Sequence, residues 1–317
     1  MTALLTATGV SVTYRRPDRV AVTAVRDVHL TLEPGQVLGI VGESGCGKSS
    51  LGRALVGLDP ISAGTVHFDG MRVGGPRATA RPRHLRRLQM IFQDPYLSLN
   101  PRRRVLGQLT DAGRLSGLPR RQAREQALAL LAKVGLPAPS ARRLPSQFSG
   151  GQRQRIAIAR ALAARPTCVI ADEPISALDP STQREIAALL RRLADEDGVA
   201  VALISHDLSV LRLVCDQIAV MYLGAVVEIG SRDAIWHNPQ HPYTEALLKA
   251  VPRIDGLGVL PVDLGGEVPD PARPPHGCAF HPRCQHTEAA CRTDTPVLRA
   301  ITDHTAAACW VAQRRAG

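Results

Sequence analysis

The chain has 317 residues, 44% of them hydrophobic and 3% aromatic, and its 39 basic and 28 acidic side chains give a formal charge of +11. Its apolar residues fall in short runs, never reaching the roughly eighteen in a row that suggest a spanning helix. Met1 to Val10 has no basic cluster ahead of a long apolar segment, so no secretory signal is predicted and the cytoplasm is the expected compartment. The length suits one large α/β domain with a smaller appendage. The positive charge alone could attract nucleic acid or anionic lipid. Only Lys48, Lys133 and Lys249 are lysines, however, and no basic stripe is interleaved with aromatics. The arginines at 81–87 and 102–104 therefore read as solvated faces, and no nucleic-acid partner is expected.

In chain order, residues 4–32 alternate apolar and polar positions (Val10, Val12, Tyr14; Val28, Leu30, Leu32) and predict antiparallel strands. The run Val37 to Val41 predicts a buried strand, which leads through a Gly-rich loop into a helix from Ser49 to Leu58. From about Gly107 to Phe148 the pattern becomes helical, with Pro119 suited to a first turn and Gly135 placed to end a helix through Leu128, Leu131 and Val134. An amphipathic helix follows at Arg153 to Ala164. Strands at Cys168 to Ala171 and Val199 to Ile204, separated by a helix at Thr182 to Ala194, are of the parallel type. The core is expected to close with Ile218 to Ile229. A short helix at Pro242 to Ala250 then precedes a linker marked by prolines and glycines from Pro252 to Pro275. No repeat of domain size occurs, so one catalytic unit is expected.

Three segments carry chemistry. Gly42-Glu43-Ser44-Gly45-Cys46-Gly47-Lys48-Ser49 matches G-x-x-x-x-G-K-[ST], in which backbone N–H groups and a helix N-terminus cradle phosphates. Lys48 is expected on the β/γ-phosphates, Ser49 on Mg²⁺, and Ser50 beside them in the first turn. Cys168 to Ala171 ends in Asp172 and Glu173; the first suits Mg²⁺, directly or through water, and the second suits polarising an attacking water. Ser149-Gly150-Gly151-Gln152 opens the helix of Arg153 to Ala164 and offers a second anion-binding end. One chain already has a phosphate loop, so this end makes sense against the nucleotide of a partner, in a head-to-tail dimer with ATP at the seams.

With Ser149 to Gln152 following Phe148, the phosphate loop before it and Asp172-Glu173 after it, the three segments resemble the ABC ATPases, from residue 1 to about 250. The resemblance implies an α/β fold: a P-loop ABC core with a RecA-like parallel sheet, an antiparallel β subdomain and an inserted helical subdomain at about 95–160. The cassette is expected over 1–235 and a small Cys-rich C-terminal extension over 236–317. ATP and Mg²⁺ are the implied ligands. By the same resemblance Gln93 senses metal and γ-phosphate, Asp179 in Ser176-Ala177-Leu178-Asp179 contacts the other subunit, His206 touches the γ-phosphate, and Tyr14 stacks on adenine.

Gln93-Asp94-Pro95-Tyr96, the following Ser98 to Arg102, and His241-Pro242-Tyr243-Thr244 narrow the likeness to oligopeptide, dipeptide and nickel importers. Within them the chain is similar to the second of two nonidentical ATPases, the OppF/DppF type. That implies a second ABC ATPase in a heterodimer, two transmembrane permease subunits, an extracytoplasmic substrate-binding protein, and a peripheral place on the cytoplasmic face of the membrane. The rival reading is a soluble ABC ATPase acting on nucleic acid or ribosomes; the absence of a tandem cassette and of a long heptad insertion counts against it. The tail gathers Cys278, Cys284, Cys291 and Cys309. Disulfides are disfavoured in a reducing compartment, and four thiolates suit an iron–sulfur cluster or Zn²⁺. The C-x₂-C pair usual for zinc is absent, but His276, His281, His286 and His304 keep zinc open. The tail resembles the extension of the same importers, where a [4Fe–4S] cluster occurs in some members. Reduced, packed cysteines are the other reading.

Overall fold

The computed structural model describes residues 3–16, 20–74, 82–176, 178–251 and 265–316. Strands β1 (Leu5–Arg15) and β2 (Ala21–Leu32) pair antiparallel, as their alternation predicts. β3 (Val37–Val41) runs into the Gly-rich loop and α1 (Lys48–Leu55). β4 (Ala63–Phe68) and β5 (Met71–Arg72) return to the first sheet, whose order is β2-β1-β4-β5. β6 (Leu88–Ile91) precedes the helices α2 (Val105–Leu115), α3 (Arg120–Lys133) and α4 (Gly150–Ala163).

The second half alternates β7 (Cys168–Asp172), α5 (Pro180–Asp197), β8 (Ala200–Ile204), α6 (Leu208–Val214) and β9 (Gln217–Tyr222), then turns through β10 (Ala225–Ser231) into α7 (Arg232–His237) and α8 (Pro242–Lys249). The chain ends with α9 (Ala289–Thr293), β11 (Arg299–Thr302), β12 (Thr305–Ala307) and α10 (Trp310–Ala316). The large sheet has the order β11-β12-β10-β9-β3-β8-β7-β6. Its strands β9, β3, β8, β7 and β6 run parallel, and β10 and β12 continue it antiparallel.

Both faces of the parallel strands are covered, which is why they read as continuous apolar runs. In β3 the side chains divide by period two: Val37 and Val41 belong to one core, Leu38 and Ile40 to the other. The second core lies under α1 and the antiparallel sheet, with Leu51, Val10 and Val25 in it; the first holds the helices α2 to α6. Burying a Val or Ile side chain contributes about 1.5–3 kcal/mol. A fully buried β3 is thus a firm support for the loop that follows it.

Local signals set the helix ends. Ser149 caps α4 by accepting the Gln152 N–H at 3.3 Å, and Gln152 Oε1 accepts the Ser149 N–H at 3.2 Å, a capping box. Asp179 caps α5 by accepting the Thr182 N–H at 3.0 Å, and the helix stops at Gly198, whose φ of 64° is left-handed.

Two features go beyond the sequence reading. Ile218 to Ile229 is two antiparallel strands, β9 and β10, turning at Leu223 and Gly224. The tail, expected as an appendage after a linker, adds β12 and β11 to the edge of the cassette's own sheet, and its Phe280 is buried in the main core. Open backbone groups on β10 explain the second, since an unpaired strand edge recruits another strand. The linker prolines and glycines at 252–261 lie outside the described residues; Gly265 to Pro275 forms no helix or strand.

Candidate functional site

Four loops meet at the C-terminal ends of the parallel strands, where open α/β sheets bind ligands. The loop Gly42 to Gly47 follows β3, Gln93 follows β6, Asp172 ends β7 with Glu173 next to it, and His206 follows β8. Gly47 sits at φ 103°, and a Cβ there would lie 2.0 Å from the Ala24 carbonyl oxygen, so only glycine lets the loop pass under β2. Among the described residues, the N–H groups of Gly45, Gly47, Lys48, Ser49 and Ser50 have no protein acceptor. Lys48 is 5% exposed; its Nζ donates to the carbonyl oxygens of Gly42 (2.7 Å) and Glu43 (2.9 Å). No carboxylate lies within ion-pair distance of it among the described residues. A buried ammonium without a counter-ion and a row of unpaired N–H groups at a helix N-terminus form a cradle for an anion, and they fit the phosphates of ATP.

Beside the cradle stands a set of hard oxygen donors. Ser49 Oγ donates to Asp172 Oδ1 at 2.9 Å. Burial raises the Asp172 carboxyl above its usual range, and the Ser49 hydroxyl bond works against that. Gln93 Nε2 donates to Glu173 Oε2 at 3.0 Å, and His206 Nδ1 lies 3.3 Å from Glu173 Oε1. Glu173 is therefore held from two sides. Its backbone has a φ of 43°, a left-handed conformation costing a non-glycine residue about 1–3 kcal/mol, and its N–H is anchored on the Ile204 carbonyl at 3.0 Å. Ser49, Asp172 and Gln93 carry oxygen atoms of the kind Mg²⁺ prefers, next to the phosphate cradle.

Ser149, Gly150, Gly151 and Gln152 stand apart. They make no hydrogen bond to the phosphate loop among the described residues, and Ser149, Gly150 and Gln152 are exposed. Ser149, Gly151 and Gln152 share an open cleft of ≈ 380 Å³ with Asp179, Leu178 and Arg155. Asp179 is held well below the usual carboxylate range by the Ser181 hydroxyl and Thr182. Tyr14 donates its phenol proton to Asp59 Oδ2 at 2.5 Å and packs partly against the second core, with Arg53 completing the cluster.

Two contacts of the loop have no counterpart in the sequence reading. The Glu43 N–H donates to the Tyr243 hydroxyl at 2.9 Å, and Arg283 forms a bidentate ion pair with the Glu43 carboxylate. Tyr243 lies in the quoted His241-Pro242-Tyr243-Thr244 segment, but nothing in the sequence connects residues 240 positions apart.

The tail cysteines are all free. Cys278 is raised to about 11, first by burial and further by the neighbouring Cys291, Cys309 and Cys284. Among the described residues no three His, Cys, Asp or Glu side chains are placed to hold a metal ion. Four thiols suit a soft metal in number and kind, but here they are arranged as packed, protonated side chains rather than as a ligand shell.

No helix among the described residues is long and apolar enough to cross a membrane. The family model described as "ABC transporter" matches residues 25–176, and "Oligopeptide/dipeptide transporter, C-terminal region" matches 227–291. A probable peptide ABC transporter ATP-binding protein of Sinorhizobium fredii is 49% identical over 92% of this chain and 83% of its own. The dipeptide transport ATP-binding protein DppF of Escherichia coli is 45% identical over 89% of this chain and 85% of its own. Among solved structures, the dimeric post-hydrolysis cassette MJ0796 bound to ADP and Pi superposes with a TM-score of 0.65 at 29% identity, covering 72% of this chain and 98% of that one. A mixed sheet with its phosphate loop after β3, and relatives this similar over about nine-tenths of the sequence, place the chain among the ATP-hydrolysing subunits of ABC transporters, in the family that carries the oligopeptide/dipeptide transporter C-terminal region.

Proposed function

We propose that this chain energises the import of oligopeptides or dipeptides through a membrane permease. The observation that carries the reading is likeness over nearly the whole length, tail included, to proteins named for peptide and dipeptide transport. Nickel or another small solute is the alternative cargo within the same family. The partners we infer are a second, different ABC ATPase, two permease subunits and an extracytoplasmic binding protein, with this chain peripheral on the cytoplasmic face. The exposed Tyr96 and Leu97, just past Gln93, offer apolar surface for permease contact, with the Arg153 guanidinium stacked 4.6 Å from the Tyr96 ring centre. We take residues 1–235 as the cassette and 236–317 as the extension, the helical subdomain spanning about 95–160.

In this reading Lys48 and the free N–H groups of Gly45, Gly47, Lys48, Ser49 and Ser50 grip the phosphates, and Tyr14 lies against the adenine. Ser49 and Asp172, with Gln93, hold Mg²⁺. When bound, the ion draws charge from the phosphate oxygens. Glu173, steadied by Gln93 and His206, orients water and takes up its proton, while His206 is also placed to donate toward the terminal phosphate. Ser149 to Gln152, remote from the chain's own loop, and the neighbouring Asp179 serve the nucleotide of the partner subunit, so two chains complete each site. The dimeric state of MJ0796 supports this.

Reconstitution tests the proposal: in vesicles with the permease, the partner ATPase and the binding protein, a labelled dipeptide should accumulate only with ATP inside the cytoplasmic-face compartment. ATP hydrolysis without peptide movement, or salt-sensitive co-sedimentation with nucleic acid instead, overturns it. From the donor set alone we also propose that Cys278, Cys284, Cys291 and Cys309 take up a [4Fe–4S] cluster, with Zn²⁺ the alternative. Anaerobic purification should then return iron and sulfide, or zinc, in stoichiometric amounts; none of the three leaves the cysteines as packing.

A further inference from the structure

The phosphate loop is held by the C-terminal part of the chain. Arg283, in the tail, places Nη1 2.8 Å and Nη2 2.9 Å from the two carboxylate oxygens of Glu43. The guanidinium is 4% exposed and the carboxylate 18%. Two more of its donors are used, Nε on the Gly265 carbonyl at 3.0 Å and Nη1 on the Tyr222 hydroxyl at 3.5 Å. The pair is thus largely desolvated and forked, with four of the five guanidinium donors bonded, conditions under which a buried ion pair holds geometry. Glu43 holds the Arg283 guanidinium above the ordinary arginine range, although burial works the other way.

A second tail contact fixes the same residue. The buried Tyr243 accepts the Glu43 N–H, and its ring stacks within an aromatic cluster with Tyr222 (4.7 Å between centroids) and Phe280 (5.3 Å). Phe280 lies between Cys278 and Cys284, and Arg283 directly precedes Cys284. The tail therefore seizes both the backbone and the side chain of the second residue of the loop. Lys48 Nζ holds the carbonyl of that same residue.

Electrostatics supplies the reason for an arginine here. A carboxylate in a loop that receives a polyanion repels it, and in a partly desolvated site the repulsion is weakly screened. Arg283 cancels that charge where Glu43 sits, while its fork, which a lysine lacks, fixes the carboxylate's direction.

We propose that the C-terminal extension is a brace of the ATP site, with Arg283 and Tyr243 as positioning residues that keep the phosphate loop open to MgATP and neutralise Glu43. The proposal rests on Gly42 to Ser49 being the phosphate loop.

The experiment measures MgATP binding by calorimetry, and KM and kcat for ATP, on the full chain in its assembled complex. Arg283→Met should weaken MgATP about tenfold, with the deficit shrinking at high salt, as an uncompensated charge requires. The double variant Glu43→Gln with Arg283→Met should recover most of that loss, and Tyr243→Phe, which removes one oxygen, should raise KM about threefold. kcat at saturating ATP should stay within about twofold in Arg283→Met and Tyr243→Phe, because neither group reaches the reacting atoms. Wild-type affinity in both Arg283→Met and Tyr243→Phe overturns the brace, as does a double variant no tighter than Arg283→Met. Should Arg283→Met fail to fold, Tyr243→Phe and the double variant decide. A Lys48→Ala chain that still binds MgATP normally would instead sink the phosphate-loop reading, so the two failures are distinguishable.

Discussion

Glu173→Gln is expected to bind MgATP as the parent does and to lose turnover by about 10²–10⁴-fold, the range of a positioned general base. The substitution is isosteric. It keeps the backbone at φ 43° and the anchor on the Ile204 carbonyl, and an amide can still meet Gln93 and His206. What disappears is the basic oxygen that receives a proton from water. Binding survives because the phosphate contacts come from Lys48 and the loop N–H groups, none of which Glu173 touches. Steady-state hydrolysis by the assembled complex, together with calorimetric ATP binding, checks both halves. A normal rate would remove Glu173 from the role of base.

Lys48→Ala has the opposite signature. Its ammonium is buried against two carbonyls without a carboxylate partner among the described residues, so its charge is available to phosphate oxygens. Charge-assisted hydrogen bonds contribute about 1.5–3 kcal/mol each, and losing those to the phosphates should weaken ATP binding about 100-fold or more. The fold should persist, because α1 keeps Leu51, Ala54 and Leu55 in the second core. Unchanged far-ultraviolet dichroism with abolished binding is the expected pair of results. Binding at parental affinity would exclude Lys48 as the phosphate ligand.

Much of the candidate site was readable in the sequence because its parts are local. A phosphate loop is a strand, a turn and a helix within about fifteen residues, and Val37 to Leu55 supplies all three. Asp172-Glu173 and Ser149 to Gln152 are equally compact, each placed by the end of one element. Other elements escaped notice for physical reasons. β6 is a four-residue strand, too short to show a period, and α6 spans seven. The strands β11 and β12 are only four and three residues long, and they exist because the edge of β10 is there to pair with them.

The sequence by itself therefore determined where the chemical groups lie along the chain: a Gly-rich loop and lysine before a helix, two carboxylates at a strand end, and a Ser-Gly-Gly-Gln helix start. Only the tertiary structure decided how these meet. Gln93 and His206 converge on Glu173 across 80 and 33 positions of chain because parallel strands place successive loops at one sheet end. Arg283 reaches Glu43 for a different reason: β12 closes on β10 and Phe280 enters the aromatic cluster of Tyr222 and Tyr243, which swings the tail onto the loop. A charge pair 240 residues apart leaves no periodicity and no motif behind, since it is created by packing rather than by spacing.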